Sequence, residues 1–286
     1  MPSLVPPATG KWWAHDDTLT FVPTDGFQPW TVERVEIPAA LAAPELARFN
    51  VKGPNMLREQ QLLAELQYIP FNFGPTAGQD NLANEPFTAA AVPPAAQPGK
   101  FTWAYSDIPA SLAALWSVGQ ANVITTGALM QFEEQQNMAT DGVVGPAVWK
   151  ALTAAVAARH FDPNPYDYLM VSENVPESLV VWRNGEDLYR TPVNTGVPGA
   201  TTQTGTFPVY ARYETTTMAG TDVDGTKYDV PDVPWVAYFN GGDAVHGYWR
   251  YSYGYPQSNG CVELPIGNAE VVWSMDPLGT LVTVSA

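Results

Sequence analysis

Pro163-Asn164-Pro165 divides this chain into two stretches with different hydrophobic periods, and no regular element can run through it. Proline lacks an amide hydrogen, fixes its own φ and drives the residue before it out of the helical region, so two prolines around one asparagine end a helix. Upstream, from about residue 51, apolar residues recur at helical spacing. Met56, Leu63 and Leu66 form one stripe with Leu57 and Leu62 beside it. Helical periodicity resumes over residues 111–116 and 127–137, where Leu129 and Phe132 share a face, and again where Val148, Leu152 and Ala155 are spaced for a core. Between the last two stretches, Asp141-Gly142-Val143-Val144-Gly145-Pro146 reads as a tight turn whose proline suits a first helical position. Downstream the pattern is β. Leu179-Val180-Val181-Trp182, the turn pair Asn184-Gly185 and Asp187-Leu188-Tyr189 read as a hairpin. Residues 207–213, 235–239 and 280–284 read as further strands, with one short helix over about 268–275.

The first 50 residues alternate with period two, as in Thr18-Leu19-Thr20-Phe21-Val22-Pro23 and in residues 31–38, around the turn-like Thr24-Asp25-Gly26. They are too short to bury a core of their own and are expected to pack on a neighbour. Residues 71–109, rich in Pro, Ala, Gly and Asn, read as a long surface insertion whose aromatics Phe101, Trp103 and Tyr105 pack at its end. At 286 residues, two or three domains are expected. The divisions are 1–50, β-rich; 51–160, helical with a Pro-rich insertion; and 161–286, mainly β. The fold class is therefore multidomain α + β, with a small helical domain ahead of a mainly-β one.

The 29 acidic and 13 basic residues leave a net charge of -16. Such a surface repels phosphate backbones and anionic lipid, which argues against nucleic-acid and membrane-surface partners. No apolar run reaches the ~18–20 residues of a membrane span. Residues 1–7 carry neither the basic n-region nor the apolar h-region of a secretion signal. Three histidines (His15, His160, His246) and one cysteine cannot fill a zinc site of the usual His/Cys kind, so metallopeptidase chemistry is disfavoured and no metal or cofactor is expected.

The lone cysteine sits in Ser258-Asn259-Gly260-Cys261-Val262-Glu263-Leu264, fifteen residues after His246. A cysteine nucleophile attacks as thiolate, so it needs a base for its proton and small residues to expose the sulfur. Both needs find candidates here. A lone cysteine is also commonly a small buried apolar residue, and spacing alone does not separate the two readings.

Two stretches resemble known families. Phe132-Glu133-Glu134-Gln135-Gln136, followed by the Asp141–Pro146 turn and Ala147-Val148-Trp149-Lys150-Ala151-Leu152, resembles peptidoglycan-binding domains of the three-helix type, with residues 62–68 as first helix. Residues 166–286 resemble the L,D-transpeptidase (YkuD-like) catalytic domain. The resemblance is carried by Val193-Asn194-Thr195-Gly196, Thr204-Gly205-Thr206-Phe207-Pro208-Val209, Trp235-Val236-Ala237-Tyr238-Phe239, His246-Gly247, Ser258-x-Gly260-Cys261-Val262-x-Leu264 and Pro277-Leu278-Gly279-Thr280-Leu281-Val282. Both point to one polymer, the bacterial cell wall.

The second resemblance implies a peptidoglycan L,D-transpeptidase forming 3→3 cross-links, located extracytoplasmically in the cell wall or periplasm, with stem peptides and glycan as partners. Cys261 is implied as the nucleophile on the donor stem's third residue, with D-alanine leaving. His246 is implied to lower the thiol pKa by forming an ion pair and then to shuttle the proton. The Gly247 carbonyl would orient the imidazole, and the amides of Gly260 and Cys261 would form the oxyanion hole. Ser258 would hold the turn or hydrogen-bond His246. Residues 215–233 fall where the family has a lid, which makes Met218 and Tyr228, with Tyr238 and Asn259, the implied substrate-binding residues. Two positions depart from the family: Asn259 stands where histidine is usual, and Glu263 where arginine or asparagine is common. Glu263 cannot grip a carboxylate. Asp222 and Asp224 in the lid lack the full pattern of a calcium loop and read as a solvated turn. Water as the acceptor (an L,D-carboxypeptidase) and an inert wall-binding protein are the alternatives. Trp149, on the last helix of the upstream module, is a candidate for stacking on glycan or for closing the core over Phe132.

Overall fold

A computed structural model describes residues 2–15, 18–36, 47–76 and 92–286. The N-terminal part consists of β1 (Ser3–Val5), β2 (Gly10–His15), β3 (Thr18–Pro23), β4 (Val32–Glu36) and β5 (Ala47–Asn50). β2 and β3 pair as a ribbon, and β1, β4 and β5 form a three-stranded sheet. Little of it is buried: Leu4 is, whereas Trp13, Leu19, Val22 and Phe49 are exposed. It is tied to the Pro-rich insertion by Ala95 N donating to the Asp25 carbonyl at 3.0 Å. Residues 37 and 38, expected to extend β4, lie outside the described residues.

The helical layer comprises α1 (Met56–Glu65), the strand pair β6 (Phe71–Pro75) and β7 (Gly99–Trp103), α2 (Ala110–Ala113), α3 (Val123–Gln135) and α4 (Pro146–Ala158). Local chemistry sets the boundaries. Asn55 and Asn122 cap α1 and α3 by accepting from Arg58 N and Thr125 N, and Pro146 opens α4 where its missing N–H costs nothing. The expected surface insertion is partly structured. Its ends pair as β6 and β7, and Phe71 is buried between Trp103 (3.9 Å between centroids) and Trp116 (4.1 Å). Residues 77–91 of the insertion lie outside the described residues.

The mainly-β part contains β8 (Asp167–Ser172), β9 (Ser178–Arg183), β10 (Glu186–Pro192), β11 (Gly205–Pro208), β12 (Ala211–Thr221), β13 (Lys227–Asn240), β14 (Asp243–Gly247), β15 (Val262–Leu264), α5 (Ile266–Trp273) and β16 (Leu281–Ser285). The Asn184-Gly185 turn closes β9 on β10 with both residues at positive φ (48° and 105°). The expected strand over 207–213 is two strands, because the chain leaves one sheet at Pro208 and enters another at Ala211. One sheet runs β10-β9-β8-β16-β11 and the other β12-β13-β14-β15. Between them Leu169, Val171, Leu179, Val181, Val282 and Val284 meet Ala237, Phe239, Val245, Val262 and Leu264, with Ala269 and Val272 of α5 at the edge. The intervening residues of the five-stranded sheet point the other way. Tyr168, Trp182 and Leu281 join Leu62, Leu66, Leu129, Phe132, Trp149 and Leu152 in a second core.

The small helical domain expected ahead of the β part is not evident as a separate body, because its helices share this second core with the five-stranded sheet. The helices cover a sheet face that is itself apolar, so the strands beneath are buried on both sides. The connection between them is fastened as well: Asp162 N donates to the Leu66 carbonyl (2.9 Å) and Gln135 Nε2 to Asp162 Oδ1 (3.0 Å). Phe132 lies in this helix–sheet core, whereas Cys261 borders a third small cluster of Val233, Val236 and Ala244. Trp149, a candidate for glycan stacking, is 6% exposed and packs in the same core as Phe132.

Candidate active site

The parallel pairing of β14 with β15 brings His246 and Cys261 together. The register is Val245 with Val262, His246 with Glu263 and Gly247 with Leu264. Side chains alternate along a strand, so Val245, Val262 and Leu264 enter the core between the sheets. His246 and Glu263 face the other way, as does Cys261 two positions before Glu263. Tyr238, paired with Ala244 across β13 and β14, comes to the same face. All four line a cavity of about 600 Å³.

The turn that presents the thiol is held from within and from behind. Ser258 Oγ accepts from Gly260 N (3.2 Å) and donates to the Cys261 carbonyl (2.5 Å), so this hydroxyl clamps the turn and is not a partner of His246. Gly260 sits at φ 111°, and a Cβ there would meet Asp243 Oδ1 at 2.5 Å, so both backbone and space require glycine. Behind the turn runs the Val193–Gly196 segment. Gln257 N and Ser258 N both donate to the Thr195 carbonyl (2.9 Å each), and Val197 N donates to that of Ser258 (2.9 Å). Asn194 and Glu263 exchange both backbone bonds. Buried Glu177 anchors the segment in turn, accepting from Thr195 N and Oγ1 at 2.7 Å each.

His246 is 4% exposed, and its Nδ1 lies 3.1 Å from the Gly247 carbonyl oxygen. A carbonyl only accepts, so Nδ1 carries the hydrogen and Nε2 keeps its lone pair, the tautomer a general base needs. Gly247 contributes this carbonyl without lining the cavity. A Cβ on it would press on Pro234, Ala269 and Ile266, so its lack of a side chain lets α5 pack close. Burial pushes the His246 pKa below its usual value. Burial, with the carboxylates of Asp243 and Glu263 adding to it, pushes the Cys261 thiol up to about 12. Both shifts run against the expected thiolate–imidazolium ion pair, because burial disfavours a charge on either group. Sγ makes one weak contact, 3.7 Å from the Gly242 carbonyl oxygen.

Met218, Tyr228 and Tyr238 line the same cavity as Asn259, Ser258, His246 and Cys261, whereas Gly247 and Gly260 stand behind it. The residues expected to form a lid are the long β12–β13 hairpin, whose register shifts between Thr216 and Met218. At its tip, Asp222 Oδ1 accepts from Val223 N (2.7 Å) and Asp224 Oδ1 from Thr226 N (2.8 Å), so these carboxylates brace the turn itself. Among the described residues no group of three or more His, Cys, Asp or Glu is disposed to hold a metal ion. Arg250, Asp243 and Tyr248 also line the cavity and were not expected there. Arg250 had a signal in the sequence, as the sole Lys or Arg between His246 and Cys261.

The two-sheet scaffold is a β-rich body with one cavity lined by both its cysteine and His246. Residues 167–284, which contain all of these groups, match the model of YkuD, the L,D-transpeptidase catalytic domain. Similar solved structures include an L,D-transpeptidase from Mycobacterium smegmatis, at 26% identity and TM-score 0.39, over 44% of this chain and 61% of that one. They also include the catalytic domain of an E. faecium L,D-transpeptidase, at 26% identity and TM-score 0.39, over 43% of this chain and 100% of that one. No curated protein matches.

Proposed function

We propose that the chain is a peptidoglycan L,D-transpeptidase that forms 3→3 cross-links through a thioester on Cys261. The supporting observation is that His246 and Cys261 share one face of the β14–β15 pair and one cavity, with Nε2 of His246 left as the base. His246 Nε2 takes the thiol proton as Sγ attacks the carbonyl between the third residue of a donor stem and its terminal D-alanine. The C–N bond breaks, the imidazolium returns the proton to the departing amine, and D-alanine leaves. The amine of a neighbouring stem then attacks the thioester, giving a proton to His246; the C–S bond breaks, and the imidazolium returns that proton to Sγ, restoring the thiol. The Gly260 amide is engaged by Ser258, which leaves the Cys261 amide as the principal oxyanion donor. Met218, Tyr228, Tyr238 and Asn259 hold the stem beside the sulfur.

The reading places the protein outside the cytoplasm, at the wall, and among the described residues no helix is long and apolar enough to cross a membrane. The division at 1–50, 51–160 and 161–286 is kept as the proposed organisation. The 51–160 layer is assigned a wall-contacting role on its likeness to three-helix peptidoglycan-binding domains, with its surface rather than Trp149 making the contact. Incubation of the full chain with a purified disaccharide-tetrapeptide tests the reaction. Release of D-alanine with a cross-linked dimer, read by mass, is expected. Release with tripeptide alone would identify water as acceptor, and no release would leave an inert wall-binding protein.

A further inference from the structure

Arg250 is the one lysine or arginine among the described residues lining the cavity, and its guanidinium is immobilised. Nε and Nη2 donate to Glu263 Oε2 and Oε1 at 2.8 Å each, a two-pronged pair with a largely buried carboxylate. Nη2 also donates to the Gln257 carbonyl at 3.1 Å. The Tyr248 ring lies beneath the guanidinium carbon, 4.8 Å from centroid to carbon. Even the backbone is fixed, since Arg250 N donates to the Tyr253 hydroxyl (3.1 Å), which donates to the Tyr248 carbonyl (2.5 Å). Three of the five N–H groups are thus committed. Nη1, with two more, has no hydrogen-bond partner among the described residues, and the side chain keeps 30% of its surface open.

We propose that Arg250 is a specificity-determining residue, its Nη1 edge donating to a carboxylate of the donor stem peptide while Glu263 holds it in position. This rests on the proposed function and names the feature of the donor that this site reads. Arginine carries donors only, so the edge takes an acceptor, and its planar fork matches a carboxylate. Pre-organisation by Glu263 and Tyr248 removes the cost of ordering a long side chain on binding. Glu263 also offsets the cation's charge, and Asp222 and Asp243 line the same cavity. Recognition therefore rests on two directed hydrogen bonds rather than on a strong field, and a single carboxylate is favoured over several. The tetrapeptide has two that come near the reacting carbonyl: the terminal D-alanine carboxylate and the side-chain carboxylate of a diaminopimelate third residue.

The test uses full-length Cys261→Ala protein, which binds without turnover, and a tetrapeptide with its two single carboxamides, one at the C-terminus and one on the third side chain. One carboxamide is expected to bind about tenfold more weakly than the parent acid, and which one identifies the carboxylate read. Adding Arg250→Ala should abolish the difference, and Arg250→Lys should keep part of it. A role confined to bracing the loop would lower affinity for all three peptides alike. Both carboxamides binding as tightly as the acid, a preference that survives Arg250→Ala, or no binding by any peptide would overturn the anchor. Should Arg250→Ala fail to fold, the peptide comparison with Arg250 in place and Arg250→Lys decide. Mass detection of a parent-peptide acyl group on the Cys261-containing chain separates the two levels: acylation without carboxylate preference rejects only the anchor, and absent acylation rejects the proposed function.

Discussion

Ser258 Oγ bridges the turn it begins, accepting from Gly260 N at 3.2 Å and donating to the carbonyl of Cys261 at 2.5 Å. One hydroxyl thereby sets the pitch of the three residues that present the thiol. Ser258→Ala leaves a buried amide and carbonyl unpaired, at about 1–3 kcal/mol of stability. Displacement of the sulfur should lower turnover about 10- to 100-fold. Thermal unfolding beside D-alanine release checks both, and unchanged turnover would mean that the Val193–Gly196 segment alone suffices to hold the turn.

His246→Ala removes the base from a thiol whose pKa burial has raised to about 12. Turnover should fall by about 10²- to 10⁴-fold. Acylation of Cys261 by a carbapenem should slow with it, and a variant labelled as fast as the parent would contradict the pairing.

The opposite pKa shifts of His246 and Cys261 have a pH signature. Because burial lowers the His246 pKa, the base stays unprotonated as pH drops through the ordinary histidine value of 6.5, and the acidic limb of activity should lie below it. The same depression means that the unfolded chain binds the proton more readily, so stability is lost as pH falls through that lower range. Alkylation of Cys261 by iodoacetamide should be slow at pH 7 and still rising above pH 9, whereas an ion-paired thiolate would plateau near neutrality. A pH series of alkylation rates on native protein distinguishes the two.

Asp276 is fully buried, with Arg212 Nη2 3.3 Å from Oδ1 in an ion pair. Burial outweighs the cation and raises the carboxyl to about 8. An acid with a raised pKa in the folded state binds protons there that the unfolded chain has released, so its contribution is complete below about pH 4 and is lost as pH rises toward 8. Asp276→Asn should flatten that part of the stability profile. Melting temperatures of both proteins from pH 4 to 8 provide the check, and parallel profiles would show that Asp276 is not the group responsible.

Much of this architecture could be read from residue patterns, where local chemistry decides. Asn184-Gly185 dictates its hairpin and Pro146 its helix start, and the family resemblance, rather than spacing, singled out His246 and Cys261, which do line one cavity. What escaped depended on partners distant in sequence. Trp182 and Leu281 are as apolar as the residues facing the inter-sheet core, so nothing in their pattern revealed that helices cover them. Arg250, in the loop after β14, gains its place from the Glu263 carboxylate, and a residue that on its own cannot grip an anion is here the support of the cation proposed to do so. The direction of the Cys261 and His246 shifts follows from burial, which spacing does not report.

The shared helix–sheet core has a direct consequence for truncation. Residues 161–286 alone would expose Tyr168, Trp182 and Leu281, all at most 2% exposed in the full chain. The fragment should melt well below the full chain or aggregate, despite containing every group of the cavity. A fragment as stable as the parent would show that the helices add nothing to the sheet.

The most direct test of the central claim is the intact mass of the full-length protein after incubation with a carbapenem and, separately, with a stem tetrapeptide. A single adduct that maps to Cys261 and disappears in Cys261→Ala is the predicted result. Unmodified wild-type protein under both conditions, or an adduct that persists in Cys261→Ala, would contradict a cysteine acyl-enzyme.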